Sequence, residues 1–295
     1  MNSTPLTKYL LLGLGITAVS SAAILIRLTT APAPVIAFYR LGFAALLLLP
    51  VALKNKQQLK KAWNLQYLLP LIGGALFLAA HFLLWIASLD HTTVASSVVF
   101  VATQPIFVTL GSYFIFKEQI SPKLILGITL AIGGSIVIGV SDLKLAGSFI
   151  YGDLLALGGA VMIASYVLIA GKLRQKLALF PYVFLVYIFT AFFLLLFVLF
   201  ANYPLFDYQP ADYLIFLALA IGPNIIGHTT INWALKYISP PVVAASILGE
   251  PIGSTLLAFF ILGEVPPLGT LIGGTIILTG IYFAARSEQE IQVSQ

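Results

Sequence analysis

The chain has 295 residues, of which 60% are hydrophobic and only 8% charged, with a formal net charge of +5 and no cysteine. Soluble domains carry roughly a quarter charged residues, so no soluble fold of this length could hide so much apolar surface; a bilayer core of roughly 30 Å can, at about 20 apolar residues per helix. The basic residues lie in short runs between apolar spans, which points to membrane orientation rather than a nucleic-acid partner, and the lack of cysteine excludes a disulfide framework and thiolate chemistry.

Taken in chain order, polar breaks divide the sequence into ten apolar segments. They lie near 9–28, 34–53, 66–89, 93–116 and 123–140, then near 153–171, 181–201, 213–235, 240–262 and 268–285. The first begins after Lys8 and contains Ala18-Val19-Ser20, which loosely resembles a signal-peptide cleavage site. Its apolar run continues through Ser21 to Ile26, so the expectation is a retained first helix. Spans of this length should be helical, because only helices and closed barrels satisfy their own backbone polar groups in lipid, and the alternation of a barrel strand is missing. Every connection is short, and even Ser141 to Gly152 leaves no room for a soluble domain.

The basic residues set an orientation. With the N-terminus in the cytoplasm, the inner side receives Lys8, Lys54, Lys56, Lys60, Lys61, Lys117, Lys123, Lys172, Arg174, Lys176, Lys236 and Arg286. The outer loops receive only Lys144, while Arg27 and Arg40 lie within spans. That bias predicts cytoplasmic termini.

The segment Leu89–Gly134 is echoed without a gap by Leu235–Gly280, 146 residues further on. Pro105 falls on Pro251, Glu118 on Glu264, Gly127 on Gly273 and Gly134 on Gly280. Earlier spans match more loosely, with Leu14-Gly15 against Leu157-Gly158. Half of ten spans is five, an odd number, so the second half must enter the membrane opposite to the first. The fold expected is an all-α membrane protein: ten transmembrane helices as two inverted five-helix repeats, residues 1–147 and 148–295, around a central cavity.

These residues resemble the drug/metabolite transporter superfamily, EamA type. The resemblance rests in the first half on Trp85, Leu89, Thr92-Thr93-Val94-Ala95, Pro105, Lys117-Glu118, Gly127 and Gly134. In the second half it rests on Trp233-Ala234-Leu235, Ala244-Ala245, Glu250-Pro251, Gly263-Glu264, Gly273 and Gly280. It covers about 8–286 and implies a ten-helix carrier of small organic solutes, often an exporter of amino acids or other metabolites. One departure is that Gln104 stands where the second half has Glu250.

Polar residues inside the spans are the candidate substrate site. A rise of 1.5 Å per residue puts Gln104 and Asn224 about 16 Å below the outer end of their spans, Glu250 about 18 Å, His81 about 12 Å and His228 about 22 Å. A polar layer near the midplane, where two repeats meet, is where carriers place substrate. Glu250 should face protein or a water-filled cavity, because an ionised carboxylate is costly in hydrocarbon. It reads either as a substrate-amine or proton-coupling site or as a hydrogen-bonded acid beside the Pro251 break. Arg40, about 9 Å from the outer end of its span, reads either as a partner for a substrate carboxylate or as a snorkelling side chain; the difference in level argues against a salt bridge to Glu250. Asn224, His228 and Asn232 recur at helical spacing, as do Phe77, His81 and Trp85, so each set should share a face.

Tyr113, Tyr166 and Tyr187 are further cavity candidates, and Gly249/Gly253 and Gly269/Gly273 fit close helix packing. Pro105 and Pro251 each remove a backbone donor and are the expected hinges. No metal or other cofactor is expected, because no second His or carboxylate has ligand spacing, and no phosphate loop exists for ATP. An intramembrane enzyme would need a Ser–His, paired-Asp or metal constellation, which the spans do not offer. The expectation is therefore a non-enzymatic secondary transporter in a bacterial plasma (inner) membrane. It would export a small organic metabolite, with an amino acid as the leading guess, and proton coupling through Glu250 is a separate expectation. An uncoupled facilitator, a channel or a membrane scaffold are the alternatives.

Overall fold

A computed structural model describes residues 5–92, 97, 100–117, 119–142, 150–262 and 268–293. Thr93, Val94, Ala95, Glu118, Lys144, Gly263 and Glu264 lie outside the described residues. Among those described, every regular element is helical. In the first half these are α1 (Pro5–Ser20), α2 (Ala22–Arg27), α3 (Ala33–Lys54), the short α4 (Lys56–Ala62), α5 (Leu65–His91), α6 (Gln104–Phe116) and α7 (Pro122–Asp142). In the second half they are α8 (Ile150–Arg174), α9 (Leu179–Phe200) and α10 (Pro210–Leu219), followed by a π-helical segment (Ala220–His228). After it come α11 (Thr229–Ala234), α12 (Pro240–Ile247), α13 (Glu250–Leu262) and α14 (Leu268–Val293).

Six stretches are long and apolar enough to cross a membrane: Leu6–Arg27, Ala33–Lys54, Leu65–His91, Ile150–Arg174, Leu179–Phe200 and Pro210–Ala234. They account for six of the ten expected spans. The expected ninth span is instead two short helices, α12 and α13, parted at Leu248-Gly249. The described part of the fourth is likewise broken by a turn at Ala102-Thr103, after which α6 begins. Each break falls just before the repeated proline. Pro105 and Pro251 occupy the second residue of α6 and α13, where the missing N–H costs no intrahelical bond. Large apolar side chains point outward, Phe200 at 93% exposure and Phe260 at 77%, as lipid contact requires and water would not tolerate.

Glycine lets two helices meet backbone to backbone. α7 and α14 make the most extensive helix–helix contact. A Cβ on Gly127 would lie 2.6 Å from Gly280 O, and one on Gly134 would lie 2.6 Å from Gly273 O. The helices therefore run antiparallel, and each contact maps onto the other when residue numbers shift by 146. A second pair behaves alike. Gly15 of α1 meets Thr230 of α11, a Cβ there lying 2.9 Å from the threonine Cβ, while Gly158 of α8 meets Leu84 of α5 at 3.3 Å. Leu84 and Thr230 are again 146 apart, whereas Gly15 and Gly158 are 143 apart.

The expected eighth span is not a uniform α-helix. Pro223 sits inside it, lacks a donor and crowds the carbonyl one turn back. The chain widens to π geometry, and the Thr229 N–H reaches back five residues to Asn224 O. Arg174, counted above as an inner-surface charge, is only 2% exposed. It donates from Nε to Asn232 O at 2.9 Å and from Nη1 to Leu177 O, tying the turn after α8 to α11.

Candidate functional site

The helix breaks open onto a buried cavity. Its walls come from both halves: Val19 and Ala22 of α1 and α2, Arg40 of α3, His81 and Trp85 of α5, and Gln104 at the start of α6. Facing them are Ile163 and Tyr166 of α8, His228 at the end of the π segment, Ile247 of α12 and Glu250 at the start of α13. The volume open to the centre of a water-sized sphere is about 40 Å³. One water needs roughly 10–15 Å³ by that measure, so the space suits a few waters.

Arg40 dominates the site. It is fully buried, which overturns the snorkelling reading: its guanidinium points inward. Its Cζ lies 4.4 Å from the centre of the Phe82 ring, and Nε donates to Asn224 Oδ1 at 3.1 Å with Nη2 donating to the same oxygen. Asn224 Nδ2 returns a bond to Arg40 O at 3.3 Å, and Tyr187 Oη and Thr229 Oγ1 both donate to Asn224 O. The level difference of about 7 Å inferred from helix rise is bridged by the length of the arginine side chain. One nitrogen, Nη1, has no protein partner.

Gln104 is 4% exposed, and its Oε1 is also buried without a partner. Glu250 occupies the corresponding residue of the other half, so the two helix starts bring equivalent acceptor side chains to one cavity. No ion pair joins Glu250 to Arg40. Ser20, beside the turn between α1 and α2, donates its hydroxyl to Glu250 O at 3.2 Å and to Ile16 O at 2.9 Å. Gly253 leaves the room this needs, since a Cβ there would collide with Ser20 Oγ. Pro251, Trp85, Gln104 and Glu250 also line a smaller adjoining space.

His81 Nδ1 lies 3.0 Å from Gly159 O. A carbonyl only accepts, so that nitrogen carries a proton and Nε2 is left as the other ring face. The imidazole stacks on Trp85 with ring centres 6.0 Å apart and planes 3° apart. His228 meets Phe82 edge-on at 5.6 Å.

The candidates thus separate into two shells. Arg40, His81, Trp85, Gln104, His228 and Glu250 line the cavity. Asn224 and Asn232 are fully buried behind it. Asn224 clamps Arg40, whereas Asn232 accepts from Tyr166 Oη at 2.7 Å and donates to His228 O at 2.8 Å. Tyr166 lines the cavity, Tyr187 supports Asn224, and Tyr113 is 55% exposed on the outside of α6. Ser20, Phe82 and the apolar walls Val101, Ile163 and Ile247 were not anticipated as site residues. Only the paired serines inside the first span offered a signal, as polar residues with no obvious partner in an apolar helix.

Comparison with known proteins decides the family. The EamA-like transporter family matches residues 6–140 and again 150–286. The chain belongs to it. An uncharacterized transporter of Archaeoglobus fulgidus is 26% identical over 266 residues, covering 86% of this chain and 88% of the relative. Another, from Clostridium kluyveri, is 26% identical over 244 residues and covers 80% and 78%. A solved crystal structure superposes with a TM-score of 0.78 at 18% identity, covering 96% of this chain and 98% of the other. At that identity the likeness concerns the fold alone. This EamA family member is an integral membrane transporter for a small-molecule solute, and not an enzyme.

Proposed function

We propose that the chain is a secondary carrier that exports a small organic metabolite by rocking two inverted five-helix halves about the Arg40–Gln104–Glu250 cavity. One observation carries this reading. Two buried polar atoms without partners, Arg40 Nη1 and Gln104 Oε1, belong to side chains lining one cavity between the halves. Leaving a buried donor or acceptor unpaired costs about 1–3 kcal/mol, more for a charged group, and a bound solute removes that cost.

The inverted repeat is supported by the paired family matches and by the contacts that map onto one another under a shift of 146 residues. Those contacts are antiparallel, as a two-fold axis in the membrane plane demands. Pro105 and Pro251 are the proposed hinges, each at the head of a half-helix beside the cavity. Positive-inside bias supports cytoplasmic termini in a bacterial plasma membrane. An amino acid suits a cavity holding one cation, one carboxyl group and stacked aromatics. Glu250 is the residue proposed to exchange a proton for the solute. The lack of a second carboxylate at Gln104 favours one rival, an uncoupled facilitator of the same solute.

Counterflow of a labelled amino-acid panel into proteoliposomes, with and without a pH gradient, tests this reading. Saturable counterflow is the expected result, and a gradient response supports coupling. Flux that never saturates and shows no counterflow would replace the carrier by a channel, and no flux for any member of the panel would remove the amino-acid assignment.

A further inference from the structure

Far from the central cavity, the corner between α3 and α5 carries charge that nothing around it answers. Lys54 closes α3, Lys56 opens α4, and Lys60 and Lys61 follow, so four exposed ammonium groups lie within a span of eight residues. The sequence has no Asp or Glu between residues 1 and 89, nor between 154 and 206. The helices packed against α4 are α3, α5 and α9. Their one carboxylate is Asp90, 25 residues beyond Leu65 at the far end of α5, which a rise of 1.5 Å per residue puts about 37 Å away.

The corner has a fixed shape. Asn55 interrupts the helix between α3 and α4, and its Nδ2 donates to Val51 O at 3.1 Å. An open groove of about 650 Å³ lies there, against about 40 Å³ for the central cavity. Leu53 gives the groove an apolar side, and Lys54, Asn55, Lys56 and Gln57 give it a polar one. Two observations set its depth. α3 has 22 residues and so spans about 33 Å, which brings Lys54 out at the edge of the hydrocarbon. Trp63, directly after α4, is 54% exposed and meets Phe189 edge-on at 6.1 Å, as an interfacial aromatic does.

Membrane orientation asks only for basic residues in a loop; it requires neither a groove nor the lack of counter-charge. A soluble anion would use the lysines and leave the apolar side bare. A zwitterionic headgroup would set its own cation against them. We propose that the corner binds one anionic phospholipid, with its headgroup phosphate between Lys54 and Lys56 and its chain along Leu53. Lysine clusters beside a transmembrane helix attract such lipids. Lys61 Nζ donates to Lys176 O at 2.8 Å, which ties α4 to the turn after α8. The bound lipid therefore braces the ends of both halves on this side of the membrane, and the site is independent of the solute carried.

Native mass spectrometry of the full-length chain in a neutral detergent tests this. Titration with phosphatidylglycerol, and with phosphatidylcholine of the same acyl chains, counts bound lipids and gives an affinity for each. One phosphatidylglycerol should bind roughly tenfold or more tighter than phosphatidylcholine. Lys54→Gln combined with Lys56→Gln should weaken it about 25-fold, at about fivefold per lysine. Lys123→Gln combined with Lys236→Gln removes the same charge elsewhere and should change it little. Equal losses in the two double variants would reduce the effect to general surface charge and overturn the site, as would equal affinity for the two lipids.

The unmodified chain supplies a check that needs no variant. Raising ionic strength from about 0.01 to 0.15 M shortens the screening length from roughly 30 to 8 Å and should weaken phosphatidylglycerol binding alone. Binding indifferent to salt would overturn the proposal. Glycerol phosphate and inorganic phosphate, added at millimolar concentration, should not displace the lipid. Displacement by either would assign the groove to a soluble phosphate compound and remove the lipid.

Discussion

The seam between α7 and α14 and the cavity between the helix breaks obey the same shift of 146 residues, yet they use it differently. At the seam both copies keep glycine, Gly127 with Gly273 and Gly134 with Gly280, and the backbones touch reciprocally. At the cavity the copies hold equivalent positions but differ in chemistry: Gln104 against Glu250, Phe82 against His228, Val186 against Arg40. Packing tolerates no departure where a Cβ has nowhere to go. Recognition needs departure, because a solute with a head and a tail cannot be read by two identical walls.

The largest expected effect comes from breaking the seam. Gly127→Leu sets a branched side chain against Gly280 O and the Ala284 backbone, neither of which can rotate away. Overpacking of this kind costs about 1–3 kcal/mol and more where backbone must move, so thermal unfolding in detergent should show a marked loss or no folded protein. Gly280→Leu should match it, because the contact is reciprocal. A much milder effect at one of the two would break the equivalence.

On the cavity side, Asn224→Leu removes the acceptor for two Arg40 donors and strands a buried guanidinium. Losing a hydrogen bond to a charged group costs about 1.5–3 kcal/mol, which should appear as a lower unfolding temperature. Asn224→Asp, which keeps the acceptor, should recover most of it. If Asn224→Leu left both stability and solute binding unchanged, Arg40 would not be held as described.

Glu250→Gln makes the two helix starts alike. Its expected effect is on transport rather than stability: counterflow should persist while its response to a pH gradient disappears. Full pH dependence in that variant would remove Glu250 from coupling. Gln104→Glu is the complementary change, placing a second carboxyl group opposite the first and favouring more cationic solutes.

These contrasts also show what the sequence made legible. Six of the ten spans and the interruptions at Pro105 and Pro251 could be read because each depends on local rules: apolar length and a missing N–H. Six of the eight proposed solute-binding side chains line the cavity, since polar residues in a span must face protein. The division between Arg40 in front and Asn224 behind could not be read. It depends on how α3 meets the π segment, and on a long side chain that crosses the level assigned to its Cα. The π geometry itself needed Pro223 to be weighed against a helix that could have kinked instead. The burial of Arg174 was not legible either, because charge counting registers position in the chain and not burial.

The smallest expected effects compare the shells most finely. Tyr166→Phe deletes one hydroxyl from the cavity wall and with it the bond to Asn232 Oδ1. Asn232 keeps its bond to His228 O and its backbone bond from Arg174, so the loss should be about 1 kcal/mol, measurable as a modest fall in unfolding temperature. Because Tyr166 also faces the cavity, the same variant separates two roles. Weaker solute binding than the stability change explains would mean that the hydroxyl touches the solute. Unchanged binding would confine it to holding Asn232. Gly133→Ala is the control beside the seam: nothing lies within 4 Å of its Cβ position, although Gly134 next to it is fully committed. Alanine should stabilise α7 slightly, by about 0.4–1 kcal/mol, through the lower entropy of the unfolded chain. Destabilisation there instead would mean that the Gly133 side of α7 is covered in the folded protein, and that the seam is wider than its four glycines.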